Sequence, residues 1–219
     1  MTVGDLAGLR VVVSAGPTFE DIDPVRFVGN RSSGKTGFAI AAAAARRGAD
    51  TVLVAGPVAL DTPAGVERRD VRSAAQMHDA VLSALPADVY VGAAAVADFT
   101  PATVAGGKLK KQPGTDGLVL ELVRTADILA DVAAHPQRPR LVVGFAAETG
   151  DLADNARDKL RCKRVDMIAG NLVGMAGSGF EADDNTLHVF DATGVRVLGP
   201  AAKTALADAL LDLVAARLP

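Results

Sequence analysis

The chain has 219 residues, 23 Lys and Arg against 26 Asp and Glu, a formal charge of −3 at pH 7 and a pI near 5.6. A composition that is 49% hydrophobic, 22% charged and 4% aromatic fits a single folded domain with a core of small aliphatic side chains, and it excludes disorder as the dominant state. The acidic balance argues against a nucleic-acid surface, and the lone Cys162 excludes an intrachain disulfide and a thiolate metal cage.

No apolar run reaches the roughly 18 residues of a membrane span; the small-residue stretch from Phe38 to Ala45 is closed by Arg46 and Arg47. The start, Met1-Thr2-Val3-Gly4-Asp5, lacks the basic-then-apolar order of an export signal. The expectation is a soluble, cytoplasmic protein with no membrane partner.

In chain order, β-branched runs alternate with Ala- and Leu-rich helical stretches. A strand at 11–13 precedes a helix over 36–47, a strand at 51–54, a helix over 73–85 and a strand at 88–92. A helix near 127–134, a strand at 141–143, a helix over 152–163 and a strand at 166–169 follow. Two runs, 187–191 and 195–198, flank Ala192-Thr193-Gly194 as a hairpin, and an amphipathic helix over 201–218 closes the chain. The β-α-β rhythm predicts an α/β fold with a doubly wound, mostly parallel sheet, whose ligands gather where loops leave the carboxyl ends of the strands.

Three segments of unusual composition sit at such positions. Gly29-Asn30-Arg31-Ser32-Ser33-Gly34-Lys35-Thr36 matches the phosphate-loop pattern G-x-x-x-x-G-K-S/T. A phosphate loop follows its strand directly, whereas Pro17 to Arg26 separates this one from the run at 11–13. Small residues at a helix mouth still favour an anion, and a serine N-cap at Ser32 or Ser33 accounts for the same residues without a ligand. The second segment reads as a buried strand from Tyr90 to Ala97 that leads into Asp98, a hydrogen-bond acceptor, a cation ligand or a turn cap. Beyond it Lys108, Lys110 and Lys111 lie among Gly106, Gly107, Gly114 and Gly117, as a mobile flap over phosphates or as a solvated charge run. In the third, Asn155, Lys159 and Lys163 form one stripe of a helix beside an apolar stripe of Leu152, Ala156 and Leu160. His78, His135 and His188 lack metal-ligand spacing, and no serine-nucleophile elbow is present.

Read together, Ala15-Gly16-Pro17-Thr18, Asp23-Pro24-Val25-Arg26, Asn30 to Gly37, Ala94 to Asp98, Lys108 to Lys111 and Gly144-Phe145-Ala146-Ala147-Glu148-Thr149 strongly resemble bacterial phosphopantothenoylcysteine synthetase, over nearly the whole chain. The resemblance implies a Rossmann-like fold with a C-terminal hairpin and a flexible flap at about 101–117. It implies a ligase of coenzyme A biosynthesis, in which CTP activates the carboxylate of 4'-phosphopantothenate as an acyl-cytidylate and the amine of L-cysteine then displaces CMP. By the same resemblance Gly92, Ala93, Ala94, Asp98, Lys108, Ala126, Asp127, Ile128, Leu129, Phe145, Lys159 and Lys163 contact CTP. Asn30 handles the acyl-cytidylate. Arg26 reaches 4'-phosphopantothenate across a homodimer interface, and Ala94, Ala95 and Asp98 line its pocket. Lys108 neutralises charge during catalysis, and Mg2+ is shared among the triphosphate oxygens, with unknown protein ligands. Many relatives place Pro where Ala126 stands, before Asp127. In this family the synthetase is often fused to a flavin-dependent decarboxylase half. The competing readings are a nucleotide kinase or NTPase using Lys35 and Thr36, and a dinucleotide-binding module, which lacks its G-x-G-x-x-G. The hairpin at 187–198 is a candidate dimer patch.

Overall fold

The computed structural model describes residues 4–110, 116–172 and 184–218. Lys111 and Gly114, expected in the flap, lie outside the described residues. An eight-stranded sheet runs through the molecule in the order β12-β11-β10-β9-β6-β1-β4-β5. Its strands are β1 (Arg10–Ala15), β4 (Asp50–Ala55), β5 (Val66–Asp70), β6 (Val89–Gly92), β9 (Leu141–Glu148), β10 (Met167–Leu172), β11 (Asp184–Asp191) and β12 (Gly194–Ala202). All neighbours pair in parallel except β11, which is antiparallel to both β10 and β12. The result is a Rossmann-like doubly wound sheet with the expected C-terminal hairpin at one edge.

Period-2 alternation sorts the side chains. Val11, Val13 and Ala15 face α1 (Lys35–Arg46) and α5 (Lys203–Ala215), whereas Val12 faces α2 (Ala74–Ser83), α3 (Ile128–Ala134) and α4 (Leu152–Lys163). Each helix turns its apolar stripe inward: Leu206, Leu210 and Val214 of α5 are fully buried or nearly so, as are Met77 and Val81 of α2. Helix α2 starts in a complete capping box, Ser73 accepting from the Gln76 N–H while the Gln76 side chain takes the Ser73 N–H. Among the described residues no helix is long and apolar enough to cross a membrane.

Two expectations are corrected here. The strand expected over 90–97 ends at Gly92, because Ala93 to Ala97 turn out of the sheet, held by the bond from the Ala93 N–H to Ser14 of β1 and by an isolated bridge between Pro17 and Ala95 beyond the strand. Neither Ser32 nor Ser33 caps α1. Gly34 is its N-cap, at φ +75, a left-handed turn that glycine adopts without steric cost, and no side chain caps it. The short strands β2 (Phe19–Asp21) with β3 (Phe27–Gly29), and β7 (Phe99–Pro101) with β8 (Leu122–Arg124), form two antiparallel ribbons outside the main sheet. β5, whose Glu67, Arg68 and Arg69 carry no hydrophobic alternation, was invisible to pattern reading; charge suits it to an open edge.

Two contacts make the frame testable. A Cβ on Gly37 would stand 2.4 Å from the Ala15 Cβ, where no flexible side chain can yield. Gly37→Ala should therefore push α1 off β1 and cost about 1–3 kcal/mol in urea denaturation; an unchanged midpoint would refute the close approach. Asp191, in the hairpin turn, is buried, which opposes its ionisation, but hydrogen bonds from Thr193 and Arg217 outweigh that and lower its pKa to about 2 from 3.8. A carboxyl depressed on folding stabilises above its unfolded pKa and loses that contribution as pH falls toward the folded one. The stability difference between wild type and Asp191→Asn, read from thermal melts, should accordingly be full at pH 5 and shrink from about pH 4 toward pH 2.

Candidate active site

Chains leaving β1 and β6 part toward opposite faces of the sheet, β1 toward α1 and β6 toward α3, so a crevice opens between their carboxyl ends. The two departing loops are laced together before they part. The Ala93 N–H donates to the Ser14 carbonyl at 3.0 Å, the Ala95 N–H to Gly16 at 2.9 Å and the Thr18 N–H to Ala95 at 3.2 Å. Fully buried Thr18 accepts from the Ala97 N–H at 2.9 Å. Thr125 closes the lacing from β8: its hydroxyl donates to the Ala97 carbonyl at 2.6 Å and its N–H to Asp98 at 3.0 Å.

Two adjoining clefts result. The first, of about 560 Å³, has a floor of Ser14, Tyr90 and Gly92 and walls that include Asp98, Ala126 to Leu129, Phe145, Lys159 and Lys163. The second, of about 300 Å³, runs from Ala93, Ala94 and Ala95 past Asn30 and Ser32 to Gly37 toward Lys203. Ala94, Val96, Asp98, Phe145 and Lys159 line both. A ligand in one cleft can therefore meet a ligand in the other across that wall.

Small residues keep the floor low. A Cβ on Gly92 would stand 3.3 Å from the Tyr90 hydroxyl, and one on Gly144 would stand 2.6 Å from Leu129. Below Gly92 the Tyr90 and Ser14 hydroxyls share a 2.9 Å hydrogen bond. Burial pushes the Tyr90 phenol up to about 12, with the bond to Ser14 opposing, so it stays protonated.

The cations are held by specific partners. Lys159 Nζ donates to the Phe145 carbonyl at 3.0 Å, and Lys163 pairs with Asp127 Oδ2. The other Asp127 oxygen caps α3 by accepting from the Ala130 N–H at 3.1 Å. Asn155, on the same stripe of α4, turns instead to Glu148 at 3.0 Å. Asn30 donates to the Ala95 carbonyl at 2.9 Å, which fixes its amide at the mouth of the second cleft.

Of the residues singled out from sequence, Gly92, Ala126 to Leu129 and Lys163 converge on the first cleft, and Asn30, Ala93 and Ala95 on the second, with Ala94, Asp98, Phe145 and Lys159 in both. Asp98 stands well past the end of its strand, immediately before β7. Arg26 and Lys108 line neither cleft of their own chain. Arg26 belongs instead to a knot around Asp23, whose side chain is wholly buried, and Leu109, next to Lys108, joins that knot through its backbone. Asp23 accepts from the N–H groups of Val25, Arg26 and Leu109, at 2.8, 2.8 and 3.1 Å, and from Arg26 Nε at 3.0 Å. The Arg26 guanidinium above all, with those N–H groups, holds the Asp23 carboxyl well below the usual carboxylate range. Arg26 Nη2 also donates to the Leu109 carbonyl at 2.9 Å, which fastens the lysine-bearing segment to the turn.

Sequence reasoning gave no role to Ser14, Tyr90, Thr125, Arg124 and Lys203, nor to Thr18 and Asp23, although these two stand in the motifs that carry the resemblance. Ser14 interrupts an otherwise aliphatic strand, a readable signal, whereas Lys203 is one lysine near a helix start with nothing local to mark it. The phosphate-loop match fails on context: Gly29 ends β3, a ribbon strand, and not a central strand of the sheet. Among the described residues no three His, Cys, Asp or Glu side chains form a metal cage. Asp98 and Asp127 both line the first cleft, and a magnesium ion that arrives on a nucleotide needs only one or two carboxylates, so the donor set fits.

Comparison with known proteins agrees with this architecture. The chain is 49% identical over 210 residues to the coenzyme A biosynthesis bifunctional protein CoaBC of Vibrio cholerae, covering 95% of this chain and 53% of that protein. It is 50% identical over 191 residues to CoaBC of Bacillus subtilis, covering 86% of this chain and 46% of that one. It thus spans about half the length of the curated relatives it matches. A crystal structure of the C-terminal domain of CoaBC superposes with a TM-score of 0.82 at 37% identity, covering 97% of both chains. The model of the DNA/pantothenate metabolism flavoprotein C-terminal domain matches residues 6–218, and this chain belongs to that family.

Proposed function

We propose that this chain is a phosphopantothenate–cysteine ligase of coenzyme A biosynthesis that uses CTP. The observation that carries the reading is the pair of adjoining clefts with a common wall of Ala94, Asp98, Phe145 and Lys159. A carboxylate is a poor electrophile and must become a mixed anhydride before an amine can attack it. Two anions must then approach each other, and positioned cations must offset their repulsion. CTP occupies the first cleft and 4'-phosphopantothenate the second. The substrate carboxylate attacks the α-phosphorus at the shared wall; a carboxylate O–P bond forms and pyrophosphate leaves with the bond electrons. The cysteine amine then attacks the acyl carbon, loses a proton, and expels CMP. No enzyme nucleophile is required.

In this scheme Lys159 stands at the reacting phosphorus, since its present partner is a neutral carbonyl that a phosphate oxygen can outcompete. Lys163 serves the outer phosphates, and Asn30 faces the acyl-cytidylate. Magnesium, carried in on the nucleotide and reached by Asp98 or Asp127, would spread the triphosphate charge. Lys108 and Arg26 act from the knot around Asp23, across a homodimer interface. Val25, Phe27, Val28, Phe99, Leu122 and Val123 are exposed on the neighbouring ribbons and support that interface better than the hairpin at 187–198, where Val195 and Val197 are exposed. A flavin-dependent decarboxylase half, fused or associated, belongs to the same proposal, because the relatives named bifunctional are about twice as long.

An end-point assay with 4'-phosphopantothenate, cysteine, Mg2+ and CTP, resolved by chromatography, should yield CMP and pyrophosphate in step with an amide product. CDP or free phosphate would overturn the reading in favour of phosphoryl transfer, and AMP from ATP in place of CMP would overturn the nucleotide choice. Lys159→Met should raise KM for both CTP and the acid and lower kcat/KM by roughly a hundredfold, the scale of a lost charged hydrogen bond. A change confined to one substrate would remove Lys159 from the shared wall.

A further inference from the structure

A buried polar side chain needs a hydrogen-bond partner, and Thr18, Glu20 and Asp23 have theirs in the N–H groups of Ala97, Ala74 and the turn at Arg26. Asn171, on β10, is the exception. It is 9% exposed, and its side chain makes no hydrogen bond among the described residues. It lines the second cleft together with Asn30 and Asn185, whose amides are both engaged: Asn30 donates to the Ala95 carbonyl, and Asn185 accepts from the Thr186 N–H at 2.9 Å. An amide left unsatisfied inside a protein is costly. The missing partner of Asn171 is therefore one that enters the cleft.

Strand register says where that partner sits. Asn171 stands beside Ala147 of β9, one strand spacing of about 4.8 Å away. Ala147 follows Phe145 by two residues and shares its face, and Phe145 belongs to the wall common to both clefts. Asn171 thus lies next to that wall, lining the second cleft and not the first. Its amide is neutral, with two hydrogens to donate from Nδ2 and an acceptor at Oδ1. Such a group cannot offset the charge of a phosphate, but it complements a ligand that presents an acceptor and a donor side by side, as the carboxylate and amine of an α-amino acid do. CMP still fills the first cleft when the amine attacks, so the amine arrives from the second. Resting on the ligase reading above, we propose that Asn171 binds the attacking amino acid. Nδ2 donates to the carboxylate of cysteine and Oδ1 accepts from its amine, which turns the nitrogen lone pair toward the acyl carbon at the shared wall.

The test compares wild type, Asn171→Ala and Asn171→Asp in the full chain and separates the two half-reactions. Exchange of labelled pyrophosphate into CTP needs the acid but not cysteine and reports activation alone, whereas amide formation reports both steps. Asn171→Ala should leave the exchange rate and KM for CTP and 4'-phosphopantothenate within about twofold, while raising KM for cysteine by roughly ten- to a hundredfold, the scale of a lost hydrogen bond to a charged group. Asn171→Asp, nearly the same shape, sets a negative charge against the cysteine carboxylate and should weaken cysteine at least as much, again without effect on exchange. The amine 2-aminoethanethiol, which lacks the carboxylate, should lose far less than cysteine in both variants. An unchanged KM for cysteine, equal losses for the two amines, or a parallel loss of exchange would overturn the assignment, the last by moving Asn171 to the acid or the nucleotide. Because no described residue holds the amide, Asn171→Ala should melt no more than about 2 °C below wild type; a larger drop or a failure to fold would reveal a partner inside the protein and overturn the proposal. Failure of the ligase reading looks different: wild type itself would show no acid-dependent exchange into CTP and would form no amide.

Discussion

The site depends on the lacing of two loops that leave neighbouring parallel strands in opposite directions. Each must turn away from the sheet within a few residues, and each leaves backbone donors and acceptors that need partners. They supply one another: Ser14, Gly16 and Ala95 carbonyls take the N–H groups of Ala93, Ala95 and Thr18. Satisfying the backbone in this way demands close approach, and close approach demands glycine and alanine. The same small residues leave the space above the strand ends empty. Closure of the backbone and opening of the cleft are one geometric fact.

Electrostatics is arranged around that space in advance. Lys159 rests on a carbonyl, Lys163 on the carboxylate that also caps α3, and Arg26 on a buried aspartate. These partners hold the cations in position without a ligand, so less ordering remains to be done when an anion binds. The partners differ in strength, a neutral carbonyl for Lys159 and a full charge for Lys163 and Arg26. That gradation suits Lys159 to change partners during a reaction and the others to hold their places.

Asp23 couples the outer parts. Its carboxylate gathers three backbone N–H groups and the Arg26 guanidinium, and one of those N–H groups belongs to Leu109, next to Lys108. The turn that carries Arg26 and the segment that carries Lys108 are thereby fixed to each other, although Arg26 and Leu109 stand 83 positions apart in sequence. Both lie beside ribbons with exposed apolar side chains. A function for either residue runs through whatever covers those ribbons, and a second copy of the chain meets that need.

The sequence by itself determined the order and type of the principal elements, because period-2 and period-3.6 patterns reflect which face of each element is buried. Helix α4 falls on its expected bounds of 152–163, and the hairpin turn at 192–194 was legible from its local chemistry. The resemblance of several ordered motifs supplied the family and most residues of the two clefts. Pattern reading lost the charged edge strand β5, the ribbons, and the end of β6, where Ala93 to Ala97 look like strand but are drawn off it by Gly16 and Thr18. Only the tertiary structure decided that Tyr90 and Ser14 meet beneath Gly92, that Arg26 and Leu109, beside Lys108, share one knot, and that Lys203 comes to the cleft from a helix near the end of the chain. Those are contacts between residues far apart in sequence. No local pattern encodes them, because each depends on how the sheet brings separate strand ends together.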